Sequence, residues 1–135
     1  MRLFDTTFLV DLVNKDPGSG RLAQKVEDEK SFKAISVVTV YEYLHGIYYA
    51  YSMTRQFSEK LENAEKELAA FQIIPFTHEI ARESARLQAG LERKGEMLGI
   101  DDLYIASTAL SLRLSLVTRN TEDFRRVPGL KIETY

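Results

Sequence analysis

"AISVVTVYE", residues 34 to 42, decides the fold. Its first five residues, Ala34 to Val38, are apolar and mostly β-branched, which is the composition of a strand covered on both faces. Thr39-Val40-Tyr41-Glu42 follows at once with the spacing of a capping box, so a long helix opens at Val40. A covered strand running straight into a helix is half of a βαβ unit, and the remainder of the chain repeats the alternation.

Upstream, Arg2 to Phe4 reads as a short strand ending at Asp5, followed by a helix from Thr7 to Asn14. "DPGSG" at 16 to 20 reads as a turn and Gly20 to Glu27 as a second helix. Downstream, the long helix stops near Ser52, and Phe57, Leu61, Ala64, Leu68 and Phe71 mark an amphipathic helix over Arg55 to Ala70. "QIIPF" at 72 to 76 is a short buried strand, and Thr77 caps a helix bearing Ile80, Ser84, Leu87 and Leu91 on one face, closed by Gly95. "GIDDLYIASTAL" at 99 to 110 is a further helix with Asp101 as its N-cap. Asp102 then lies in the first turn and faces inward, in line with Ala106 and Ala109. "SLVT" at 115 to 118 is a strand, "RNTEDF" a turn, and Lys131 to Thr134 the last strand. The fold class is therefore α/β, with a central parallel sheet, helices on both faces, and ligands gathered at the carboxyl ends of the strands.

The 135 residues suit a single domain spanning 1–135, and 44% hydrophobic with 28% charged residues is an ordinary globular balance. No apolar run approaches the roughly 20 residues a bilayer requires, and no signal-peptide pattern opens the chain, so a cytoplasmic protein with no membrane contact is expected. With no cysteine and only His45 and His78, thiolate chemistry and a zinc-type cage are excluded, and any metal must sit on oxygen ligands. The net charge of −2 gives no general pull toward nucleic acid, yet Arg119, Arg125 and Arg126 form a local basic group.

This topology sorts the acidic residues. Asp5 ends the first strand, Glu42 lies in the first turn after the second, Asp102 opens its helix, and Asp123 follows "SLVT". All four fall on one edge of the sheet. Like charges in a partly desolvated cleft raise one another's pKa unless a cation compensates, and a divalent ion is the natural compensator. Mg2+, or alternatively Mn2+, suits hard oxygen donors, and the chemistry implied is metal-assisted hydrolysis of a phosphodiester. Each residue also has a plainer reading: Glu42 closes the capping box, Asp5 makes an Asx turn, and Asp123 shapes its own turn.

"LFDTTFL" at 3 to 9, "SVVTVYEYLHG" at 36 to 46, "GIDDLYIASTAL" at 99 to 110 and "LVTRNTEDFRRVPGL" at 116 to 130 resemble the PIN-domain ribonucleases. The likeness is closest to the VapC-like toxins of prokaryotic toxin–antitoxin pairs. It implies a PIN-like fold, a Mg2+ or Mn2+ site, and endonucleolytic cleavage of RNA. It implies Asp5, Glu42, Asp102 and Asp123 as the acidic, catalytic and metal-binding positions, with Thr6 or Thr7 and Asn120 supporting them. Asp102 is taken over Asp101 because the family's aspartate stands three residues before the position of Ile105. Asp5 and Asp102 are then the principal ligands, directly or through water, and Glu42 either an outer ligand or the residue that orients water, while Arg119, Arg125 and Arg126 steer phosphates or else simply serve a solvated surface or a turn. An RNA substrate, a cognate antitoxin and a homodimer are the partners implied. Tyr43 and His45 depart from the family pattern beside the glutamate.

Tyr41, Tyr43, Tyr48, Tyr49 and Tyr51 crowd the helix after the second strand, which favours a protein interface there over base stacking. His78 is an ordinary first-turn residue. A receiver domain or aspartate-nucleophile phosphatase is disfavoured, because "QIIPF" ends without an aspartate and Asp5 is followed by Thr6 and Thr7. The alternative from another class is a noncatalytic PIN-like interaction module, whose acids serve only the fold or a basic partner.

Overall fold

The computed structural model describes residues 1–135, in which five short strands form one parallel sheet of order β3-β2-β1-β4-β5. They are β1 (Arg2–Phe4), β2 (Lys33–Ser36), β3 (Gln72–Ile74), β4 (Ser115–Val117) and β5 (Ile132–Glu133). The helices are α1 (Thr6–Val13), α2 (Pro17–Glu29), α3 (Val37–Tyr51), α4 (Phe57–Leu68), α5 (His78–Arg93), α6 (Ile100–Leu112) and the single turn α7 (Thr121–Phe124).

Strand side chains alternate between faces, and the neighbours in each strand divide accordingly. Leu3, Ala34 and Leu116 join a core with Leu87 and Leu91 of α5 and Leu103, Ile105, Ala106 and Ala109 of α6. Their neighbours Phe4, Ile35 and Val117 point the other way, into a core with Phe8 and Leu9 of α1, Leu22 and Val26 of α2, and Ala64 and Leu68 of α4. The sheet is thus covered on both faces, as the alternation predicts. Ala106 and Ala109 are fully buried, consistent with small residues that let α6 lie close to the sheet. Ile80, Ser84, Leu87 and Leu91 are the buried face of α5, and the Thr77 hydroxyl caps its start by accepting from the Ile80 amide at 3.2 Å.

The register places Leu3 beside both Ala34 and Leu116, so β1 lies at the centre. After β1 the chain builds outward through β2 and β3, then crosses back to lay β4 on the other side of β1. The order reverses between β1 and β4, and an open α/β sheet forms its crevice at that switch point.

Several local expectations are corrected. The long helix opens at Val37, with Ser36 as its cap accepting from the Val38 amide at 3.0 Å, so Thr39 and Glu42 form no capping box. Both are released for the site. "DPGSG" is the start of α2 rather than a turn: Asp16 caps the Ser19 amide at 2.8 Å and Pro17 takes the first helical position, which its fixed φ favours. "QIIPF" contributes only three strand residues on a sheet edge, and Ile73 is 40% exposed, so its apolar run is not a buried strand. "RNTEDF" contains the helical turn α7. Asp101 caps nothing; Gly99 holds that position and Asp101 and Asp102 both lie in the first turn of α6, where carboxylates favour the positive helix end.

Candidate active site at the switch point

At the carboxyl ends of β1 and β4 opens a cleft of about 300 Å³ lined by Asp5, Thr6, Thr7, Val10, Asp11, Glu42, Asp102 and Asn120. Asp5 directly follows the last residue of β1 and is only 3% exposed. Burial leaves its carboxylate dependent on donors, and three reach it. The Thr6 amide donates to Oδ1 at 2.8 Å, while the hydroxyls of Thr7 and Thr118 donate to Oδ2 at 3.2 and 2.8 Å. Glu42 enters from the second turn of α3, where its Oε1 accepts from the Thr6 hydroxyl at 2.7 Å, itself 3.3 Å from the buried hydroxyl of Thr39. Asp102 enters from the first turn of α6.

The electrostatics follow from this crowding. Desolvation pushes the Asp5 carboxyl upward against the pull of its three donors. Glu42 is also raised, chiefly by burial, with further contributions from the charges of Asp101, Asp5 and Asp102. Asp102 rises to about 6, again mainly by burial and then through Asp5, Asp123 and Asp101. Glu42 and Asp102 therefore both feel the charge of Asp5 and of Asp101, and no ion pair in the chain involves Asp5, Glu42 or Asp102. The cleft lacks an internal counter-charge.

Asp123 stands differently. It is near enough to perturb Asp102 but does not line the cleft, and both of its oxygens are engaged: Asn120 Nδ2 donates to Oδ2 at 3.1 Å and Arg126 lies 3.5 Å from Oδ1. The basic group divides as well. Arg119 is turned to Asp16, donating at 2.7 and 3.0 Å, and lies 3.9 Å from Asp11 Oδ2 on the cleft wall; Arg126 donates to the Met97 carbonyl at 2.7 Å. Arg125 alone has a loose partner, Glu122 at 3.9 Å, and stays exposed.

Thr118 and Asp11 escaped the sequence reading. Thr118 closes "SLVT" and is fully buried; its oxygen also accepts from the Asn120 amide at 2.9 Å, so one hydroxyl ties Asp5 to the loop holding Asn120. Its signal was a hydroxyl at a strand exit beside an acidic one. Asp11 lies four residues after Thr7 on α1, a spacing that puts both on one helix face. Thr118→Val keeps the shape but removes the donor to a buried carboxylate, and is expected to cost about 1–3 kcal/mol in a urea melt at about pH 8.

A divalent cation fits this donor set, which is all hard oxygen, net negative and uncompensated. No three acidic or histidine side chains close round one point, so the carboxylates do not form a dry cage; Mg2+ needs none, since it keeps several waters and takes one or two carboxylates.

Comparison with known proteins agrees with the geometry. The PIN domain matches residues 2–130. Ribonuclease VapC1 of Methanocaldococcus jannaschii is 32% identical over 96% of this chain and 85% of its own, and Ribonuclease VapC2 of Rickettsia felis is 29% identical over 98% and 96%. In solved form, the Rickettsia felis VapBC2 complex bound to a DNA fragment from its promoter superposes with a TM-score of 0.86 at 28% identity, covering 99% of this chain and 98% of that one. A parallel sheet with an acidic crevice at its switch point, matched along nearly its whole length, makes this chain a member of the PIN-domain family, in its VapC ribonuclease branch.

Proposed function

We propose that the protein is a divalent-metal-dependent endoribonuclease and the toxin of a toxin–antitoxin pair. The observation that carries the reading is the cluster of Asp5, Glu42 and Asp102 at the switch point, buried or half-buried with no basic partner. Such a cluster is unfavourable alone and suited to a doubly positive ion. Asp5 and Asp102 would hold Mg2+ or Mn2+, directly or through its waters. When bound, the ion supplies a lowered pKa for water and positive charge against the developing phosphorane.

The remaining steps belong to the chain. Thr6 fixes one oxygen of Glu42, leaving the other to orient the attacking water and accept its proton. Thr7 and Thr118 hold Asp5 in place, and Asn120 holds Asp123, whose charge adds to the field at Asp102. Of Arg119, Arg125 and Arg126, Arg125 is the most exposed and the most loosely paired, which leaves it to meet an RNA phosphate. The names of the relatives support RNA as substrate and an antitoxin as partner.

A protein contact is assigned to the aromatic face of α3. Tyr41 and Tyr49 are 60% and 88% exposed, and Tyr41 stacks on His45 with ring planes 6° apart. Tyr43 does not belong to that face, being buried and hydrogen-bonded to Glu67. A second copy or the antitoxin would cover it. No helix is long and apolar enough to cross a membrane, and the cytoplasm is where such substrates and partners lie.

The test incubates purified protein with mixed cellular RNA in Mg2+, Mn2+ or EDTA, beside Asp5→Asn. Cleavage in either metal, none in EDTA and a loss of at least about 100-fold in the variant are expected. Equal cleavage in EDTA and in the variant would remove the mechanism.

A further inference from the structure

One wall of the cleft is built by a group of residues that the reaction outlined above does not use. Asp11 lines the cleft from α1, and its Oδ2 accepts from the Tyr135 hydroxyl at 2.6 Å. Thr7, four residues before Asp11 on the same helix, donates its own proton to Asp5 at 3.2 Å. Tyr135 is itself gripped on three sides. Its ring meets Phe8 edge-on at 5.2 Å, the Arg119 guanidinium lies 4.5 Å over its face, and Arg119 Nε donates to its backbone carbonyl at 3.2 Å. Arg119 in turn is fixed by two hydrogen bonds to Asp16 at the cap of α2.

The assembly is tight at Gly18. A Cβ there would sit 2.8 Å from Arg119 Nη2, closer than such contacts come, and 3.1 Å from the Tyr135 carbonyl carbon and 3.3 Å from Asp16 Oδ2, both tight. The bare backbone of α2 is what lets Arg119 reach Asp16 and Tyr135 together. Burial and the Asp11 carboxylate both hold the Tyr135 hydroxyl protonated, so it stays a donor throughout the working pH range.

We propose that Tyr135 is a positioning residue of the acidic cleft: gripped by Arg119, its hydroxyl donates to Asp11 and fixes that carboxylate on the cleft wall. Arg119 holds Tyr135 and also faces Asp11 Oδ2 at 3.9 Å, so it acts on that carboxylate both directly and through the tyrosine. Supporting hydrogen bonds of this kind set how tightly carboxylates hold a hydrated ion. The inference rests on the functional reading above, because it supposes that the cleft receives a divalent cation.

The experiment titrates Mn2+ against wild type, Tyr135→Phe, Gly18→Ala and Asp5→Asn, following free Mn2+ by electron paramagnetic resonance, with melting curves in EDTA. Tyr135→Phe keeps the ring against Phe8 and loses only the hydroxyl; an affinity about tenfold weaker with an almost unchanged melting temperature is expected. Gly18→Ala touches none of the cleft carboxylates, only that of Asp16 at 3.3 Å, and improves helix propensity, yet displaces Arg119, so it too should weaken Mn2+ binding. If both variants bind Mn2+ within twofold of wild type while Asp5→Asn does not bind, the role of Tyr135 is overturned and the metal site stands. That role is overturned equally if Tyr135→Phe lowers the melting temperature and leaves Mn2+ affinity unchanged. If Asp5→Asn also binds Mn2+ and cleaves RNA like wild type, the functional reading itself falls.

Discussion

Asp102→Asn is expected to stop RNA cleavage and, in the same protein, to raise the melting temperature measured in EDTA. The two effects have one cause. Asp102 is half-buried among Asp5, Asp123 and Asp101, with its pKa raised to about 6 and no basic partner. Its charge therefore works against the fold until a cation arrives. Removing it relieves the repulsion, with a rise of a few degrees, and removes the oxygen that would hold the ion, at a loss of at least about 100-fold in rate.

The pH dependence has a definite sign. An aspartate titrates near 4 when unfolded, so a folded value of about 6 means that the native state binds the extra proton between those limits. Stability then falls as pH rises through that window, and the penalty is fully present above it. Asp5 and Glu42 are raised too and act in the same direction. Metal-free protein should melt higher at about pH 5 than at about pH 8, with a shallower slope in Asp102→Asn, and millimolar Mg2+ should restore the loss at the upper end. A wild-type melting temperature that climbs over that range in EDTA, with Asp102→Asn melting lower, would show that the acids are not in conflict.

The largest loss of stability is expected from Phe8→Ala. Phe8 is 1% exposed and packs 4.6 Å from the Phe4 ring and 5.2 Å from that of Tyr135, joining the sheet, α1 and the wall of the cleft. Truncation should cost about 3–5 kcal/mol, which is a large share of the stability of a small domain. The urea midpoint should fall with its slope unchanged, whereas Phe8→Leu should lose less than about 1.5 kcal/mol. A Phe8→Ala midpoint within error of wild type would mean that the apolar layer on that face is not the one described.

What could be read from the letters followed the physics that is local in sequence. Strand-then-helix alternation dictated the parallel sheet, and the periodic apolar face of α5 marked Ile80, Ser84, Leu87 and Leu91. Asp5, Glu42 and Asp102 converge because strand exits share an edge, which topology alone dictates. The failures were at boundaries. Ser36 and Thr39 both offer a hydroxyl, and only the turn leaving β2 decides that Ser36 caps α3 while Thr39 is buried beside Thr6. Arg119 has the look of a phosphate ligand in the sequence, but Asp16, 103 positions away, holds it. Pairings across such separations leave no trace in spacing.

The central position of β1 has a consequence for how the chain is made. Asp5 obtains a donor from Thr118, 113 residues later, and Phe4 obtains its strand partner in Val117. Pairings between such distant segments must wait until the later one has left the ribosome, and closing so long a loop is slow. During synthesis the early acid therefore hangs on an unfinished sheet, and the acidic crevice is complete only once β4 has paired with β1.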